Sequence, residues 1–187
     1  MAALQTSTLE ALKADQAQLL AKWYTSLEAS GATRNLKEHE IKQQTSEFLQ
    51  LIVTGLEAGN GGNVAASGWD DIRHFLEKLS RSRALLGQTS QQTANFIFAF
   101  KGPLFATLQN HYQDNPALLA EQLLELSELL DNLGMHTIRT FQESREAVIK
   151  RQQEELLELS TPVVKLWDGV LALPMIGTLD SQRTQVV

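Results

Sequence analysis

The chain has no cysteine among its 187 residues. That excludes disulfides, thiolate catalysis and Cys-ligated zinc. It also fits a reducing compartment, so a cytoplasmic location is expected. Basic residues are in deficit, with 16 Lys and Arg against 22 Asp and Glu and a formal charge of −6. Non-specific nucleic-acid binding needs a concentration of Lys and Arg that this chain lacks. The same deficit disfavours docking on anionic lipid. No uninterrupted apolar run reaches membrane-spanning length. The opening MAALQTSTLEALKADQ lacks the basic start and apolar core of a signal peptide. Neither nucleic acid nor membrane is therefore an expected partner. The four histidines, His39, His74, His111 and His136, are scattered, and none has the spacing that sets two ligands on one helical face. Nucleophile elbow, P-loop and dinucleotide fingerprint are missing. The expectation is a protein that is not an enzyme, with no metal site.

What remains is dominated by helical periodicity. Ser7 with Glu10 has the form of a capping box. Leu12, Leu19, Trp23 and Leu27 then predict a helix from about Thr8 to Ala29, ended at Gly31. Asn35 with Glu38 marks a second start, and Ile41, Phe48, Ile52 and Leu56 share one face. Gly59 to Asn63 reads as a flexible loop, since no strand precedes it and no Lys-Ser or Lys-Thr follows. Ser67 with Asp70 caps a third helix, with Trp69, Ile72, Leu76, Leu79 and Leu86 apolar and Gly87 closing it. Arg73, Lys78, Arg81 and Arg83 make it the most basic stretch, either a solvated face that also pairs with Glu77 and neighbouring helices, or an anion or partner contact.

Thr89 with Gln92 is a further capping box. The helix from about Ser90 to Tyr112 carries four of the seven Phe, at 96, 98, 100 and 105, and is expected to lie at the centre of the core. Phe96, Phe100 and Phe105 are candidates for lining a ligand pocket. Gly102-Pro103 should kink or break this helix, because proline lacks the N–H and clashes with the preceding turn. Pro116 suits the first helical position. Leu119, Leu123, Leu126, Leu130 and Leu133 form one face, with local weakening at Asn132-Leu133-Gly134. If continuous to Ser160, the helix is roughly 65 Å long.

Its second half has two heptad frames. One takes Ile138, Phe141, Arg145, Val148, Gln152, Glu155 and Leu159. The other takes Arg145, Ile149, Gln152, Leu156 and Leu159. Neither is cleanly apolar, as expected of a helix that pairs weakly or switches register. The candidate signalling residues are Ile138, Phe141, Val148, Leu156 and Leu159. The helix stops at Thr161-Pro162. A β-branched piece from Val163 to Trp167, an Asp168-Gly169 turn and an apolar run from Val170 to Ile176 follow, and Ser181 starts another helix. The order helix, connecting helix, α/β opening is that of a sensor joined to an output module.

The run Ser160–Pro174, with Ile176–Ser181, resembles the start of a STAS domain of the RsbR type, in both order and spacing. Arg81-Ser82-Arg83-Ala84-Leu85-Leu86-Gly87 and the helix after it resemble RsbR-family N-terminal domains. The resemblance implies an all-α sensor domain, globin-like or a related bundle, over residues 1–135. A linker helix over 136–160 and the incomplete start of a STAS domain over 161–187 would follow. A whole STAS domain needs several more strands and helices than these residues supply.

It further implies a sensory and scaffold subunit of a stressosome. Such a subunit is a homodimer through its linker helix, assembles with other STAS stressosome subunits and regulates a switch kinase of the RsbT type. The alternative it raises is a haem-binding gas sensor, since some relatives bind haem. The segment Ser80–Leu86 holds no His, which leaves His74 and His111 as axial candidates. Apart from that alternative, no cofactor is expected.

Overall fold

The computed structural model describes residues 5–59, 63–159 and 164–172. Its elements are α1 (Thr6–Ala14), α2 (Gln16–Ala29), α3 (Glu38–Glu57), a 3₁₀ turn at Ser67–Trp69, α4 (Asp70–Leu85), α5 (Ser90–Phe98), α6 (Lys101–His111), α7 (Pro116–Leu159), β1 (Val164–Trp167) and β2 (Val170–Ala172). The chain divides into two compact units, Met1–Arg145 and Glu146–Val187.

The first unit is helical. Helix α2 packs on α3 and α6, α1 on α6 and α3, and α3 on α4. The apolar faces expected from periodicity are the ones buried: Leu12, Leu19, Trp23 and Leu27, then Ile41, Phe48, Ile52 and Leu56, then Trp69, Ile72, Leu76 and Leu79. Each such side chain contributes about 1.5–3 kcal/mol by leaving water. Leu86 is exposed instead, because it sits at the C-cap of α4, past the last core-facing turn. Leu126, Leu129, Leu130 and Leu133 of α7 join the same core.

Several expected boundaries move. The helix expected over 8–29 is broken at Asp15, whose φ of −100° and ψ of 16° leave the helical region. Ser7 and Glu10 form no capping box. Ser7 lies inside α1, with its hydroxyl 2.7 Å from Tyr112 Oη. Gln122 Oε1 of α7 instead accepts from Gln5 N–H (2.9 Å) and Thr8 Oγ1 (2.8 Å), so a distant helix takes over the work of a local cap. Asn35 adopts φ 63°, a left-handed conformation that Asn tolerates, and α3 begins only after Lys37. Ser67 opens the 3₁₀ turn, with no side-chain cap. The Thr89–Gln92 box is present in both directions, Gln92 N–H to Thr89 Oγ1 at 3.1 Å and Thr89 N–H to Gln92 Oε1 at 2.9 Å.

The proline effect is visible between α5 and α6. Pro103 cannot donate to Ala99 O, and its ring would clash there, so the helix breaks at Ala99-Phe100. Pro103 then occupies the first turn of α6, where N–H groups lack helical acceptors anyway. Gly134 does not weaken α7, which runs unbroken through it. A Cβ at Gly134 would lie 2.4 Å from Phe98 Cζ, so the missing side chain admits that ring.

In the second unit, β1 and β2 form an antiparallel pair, with Val164 opposite Ala172 and Lys165 opposite Leu171. Gly169, at φ 81°, makes the turn. The helix stop at Thr161-Pro162, the run from Leu173 to Asp180, the helix from Ser181 and residues 60–62 of the glycine-rich loop lie outside the described residues. No helix among the described residues is long and apolar enough to cross a membrane.

Candidate functional site

Five aromatic rings meet at the centre of the first unit. Trp23 lies 4.5 Å from Phe100, 5.1 Å from Phe96 and 5.6 Å from Phe48 between ring centroids. Phe75 closes on Phe48 and Phe96 at 6.0 and 6.3 Å. These are offset and edge-on distances of direct contact. Trp23 Nε1–H donates to Phe96 O at 3.0 Å, which satisfies its polar atom inside the core. Of the expected pocket residues, Phe96 and Phe100 belong to this cluster, and Phe105 packs half-buried at the core margin.

A haem held at this cluster would need an axial ligand reaching into it. His74 instead faces solvent with a side-chain exposure of 66%, its Nδ1 3.8 Å from Glu77. His111 is exposed at the end of α6, edge-on to the Tyr112 ring at 4.7 Å. These residues do not fit a haem bound between the rings and either histidine. No group of three His, Cys, Asp or Glu side chains among the described residues could hold a metal ion.

The Arg81–Gly87 motif folds as the C-terminus of α4. Gly87, at φ 72°, lets its N–H bond Ala84 O (3.1 Å) while Gln88 N–H bonds Arg83 O (3.0 Å). This is a Schellman cap, and a side chain at the left-handed position would strain it. Arg83 turns inward and is only 3% exposed. Its Nη2 donates to Gln44 Oε1 of α3 at 2.7 Å, while Nη1 has no partner. Burial lowers its pKa to about 10, with Glu40 pulling the other way. Of the two readings of the basic stretch, Arg83 follows the one that includes pairing with neighbouring helices, since it ties α4 to α3.

Helix α7 is held to α4 by a buried polar clasp. Ser80 Oγ lies 3.0 Å from Thr140 Oγ1 and donates toward Thr137 O at 3.3 Å. Thr137 Oγ1 in turn donates to Leu133 O at 2.8 Å. On the same helix Lys101 Nζ reaches Ser127 Oγ (3.1 Å) and Asp131 Oδ1 (2.6 Å). The expected signalling residues separate into two groups. Phe141 is buried and Ile138 half-buried in the helical unit, while Val148 is half-buried and Leu156 exposed further along. The side chain of Leu159 lies outside the described residues. Sequence reading missed Ser80, Thr137, Thr140 and the inward turn of Arg83. The one available signal was that Thr137 and Thr140 continue the apolar face of Leu130 and Leu133 at helical spacing.

Residues 17–156 match a family model described as the RsbT co-antagonist protein rsbRD N-terminal domain. RsbT co-antagonist protein RsbRD of Bacillus subtilis (strain 168) is 23% identical over 123 residues, 63% of this chain and 44% of that protein. The chain thus spans less than half the length of that relative. No solved structure matches. The matched span takes in α2, the aromatic centre, the Arg83–Gly87 cap, the clasp and most of α7. The chain belongs to the rsbRD N-terminal domain family, and so to the RsbR family of stressosome proteins.

Proposed function

We propose that this chain is the input part of a stressosome regulatory subunit that acts without catalysis. Its sensor domain spans 1–135, globin-like in arrangement, its linker helix 136–160, and the opening of a STAS domain 161–187. A cytoplasmic location goes with this role. The observation that carries the reading is the course of α7. It is buried through Leu133, Thr137, Thr140 and Phe141, and continues without interruption to Leu159. A change in how the core or the Ser80–Thr140 clasp packs is therefore applied to a continuous rod. Family membership supports the output: control of an RsbT-type switch kinase together with other STAS subunits.

The linker helix pairs with its copy in a second chain. Phe141 is consumed by the core, which removes it from the first heptad frame. Ile149 and Leu156 of the second frame are 42% and 67% exposed and available. Pairing is parallel, because both copies deliver a STAS module to one side. A scan of single Cys substitutions from Arg145 to Leu159 tests this. Cross-linking that peaks at 149, 152 and 156 is the expected result. A monomer in sedimentation with no position cross-linking would overturn it. For the output, the chain continued by a complete STAS module should co-purify with an RsbT-type kinase, and absence of that complex would remove the kinase assignment.

A further inference from the structure

A groove of about 550 Å³ runs between α7, the start of α4 and the segment before the 3₁₀ turn. Arg73, Arg139, His136, Asn63, Asn132 and Met135 line it, with Val64 and Ala65 between them. No carboxylate lines it among the described residues, although the chain as a whole carries six more acidic than basic charges. The two guanidinium groups differ. Arg73 is committed: it donates to Val64 O and to Ala66 O (2.9 Å) and pairs with Asp70, which fixes one wall. Arg139 is exposed, and its guanidinium makes no ion pair or hydrogen bond among the described residues. Asn63 uses its Oδ1 to accept from Ala65 N–H (3.2 Å), so its amide N–H₂ is the donor left over.

We propose that this groove binds a small oxyanion, a carboxylate or phosphate group, with Arg139 as the principal charge, Arg73 as the fixed positive wall and the Asn63 amide as a donor. Arginine suits such groups because its planar fork meets two oxygens at once. His136 reports on occupancy. Its Nε2 is sealed from solvent and has no partner, so a ring proton there would stand unpaired. Burial holds the imidazole below the usual histidine range. The charged groups acting on it are Arg73 and Glu77 from α4 and Arg139 and Glu143 from α7, while Asp70 and His74 are engaged by Arg73 and Glu77. An anion beside Arg139 and Arg73 offsets their repulsion and favours the protonated ring. The site stands whether or not the relay through α7 does.

The test follows the His136 ring resonances of the intact chain by NMR, at constant ionic strength, with inorganic phosphate and acetate as separate probes. The expected result is a saturable shift of His136 and a rise in its pKa with at least one probe. Response to phosphate alone assigns a phosphate group, to acetate alone a carboxylate, and to both a general oxyanion site. Arg139→Gln, a surface change expected to leave the thermal midpoint in place, should weaken the response by about tenfold or more. His74, exposed on α4, is the internal control and should not saturate. The proposal is overturned if neither probe shifts His136 saturably, if His74 shifts in parallel, or if Arg139→Gln responds like the parent.

Discussion

Gly55 sits in α3 directly under the ring of Trp69. A Cβ built there would fall 2.3, 2.6 and 2.8 Å from three ring carbons of Trp69. Gly55→Ala sets two effects against each other. Helix propensity gains at most about 1 kcal/mol. Overpacking a filled core costs about 1–3 kcal/mol, and three contacts inside van der Waals range put this case toward the upper end. The ring cannot swing away cheaply, since Trp69 is 1% exposed and lies in a short turn immediately before α4. The expected net loss is about 1–2 kcal/mol. At about 2–4 °C per kcal/mol for a chain of this size, the midpoint should fall by several degrees. Thermal and urea unfolding followed by circular dichroism would measure it. In a Trp69→Leu background the ring is gone, and Gly55→Ala should become neutral or stabilising, a positive coupling in a double-mutant cycle. An unchanged or raised midpoint in the parent chain, or an equal loss in both backgrounds, would refute the packing argument.

The clasp should behave as a unit. Thr140→Val and Ser80→Ala should each cost about 1–2 kcal/mol in urea unfolding, and together less than their sum, because either change alone already removes the Ser80–Thr140 contact, which the double variant can lose only once. Strict additivity would mean the hydroxyls do not interact. His136 gives a pH dependence. Its folded-state pKa lies below the unfolded 6.5, so the unfolded chain binds more protons in that window, and stability falls as pH drops through about 6.5 toward the folded value. His136→Gln should flatten this slope, and an unchanged slope would place the titrating group elsewhere. Removal of residues 162–187 should leave the cooperative thermal transition of the helical unit, which is compact through Arg145. Loss of that transition would show that the helical unit depends on the tail.

Much of the candidate site was legible in outline and much of its wiring was not. The Phe-rich helix at the core centre, the break forced by Pro103 and the long α7 all follow from spacing and backbone chemistry. The compact helical unit extends to Arg145, and Thr137, Thr140 and Phe141 of α7 are buried in it. Heptad counting could not see this, since it weighs Phe141 and Val148 alike. Only burial in the folded unit tells them apart, with Phe141 buried and Val148 half-buried.

What the amino-acid order determined alone was whatever a few adjacent residues decide between themselves. The Thr89–Gln92 box and the Gly87 cap after Arg83 have both partners within one turn, and Pro116 at the start of α7 needs none. The apolar faces also belong here, because a 3.6-residue period selects them before any tertiary contact exists. Tertiary structure decided the partners that are far apart in the chain. Thr8 and Gln5 found Gln122, Ser7 found Tyr112, Arg83 found Gln44, and Gly55 and Gly134 were left bare for Trp69 and Phe98. A hydroxyl that could cap its own helix is free to bond elsewhere at similar cost, and only the packed core determines which partner is in reach.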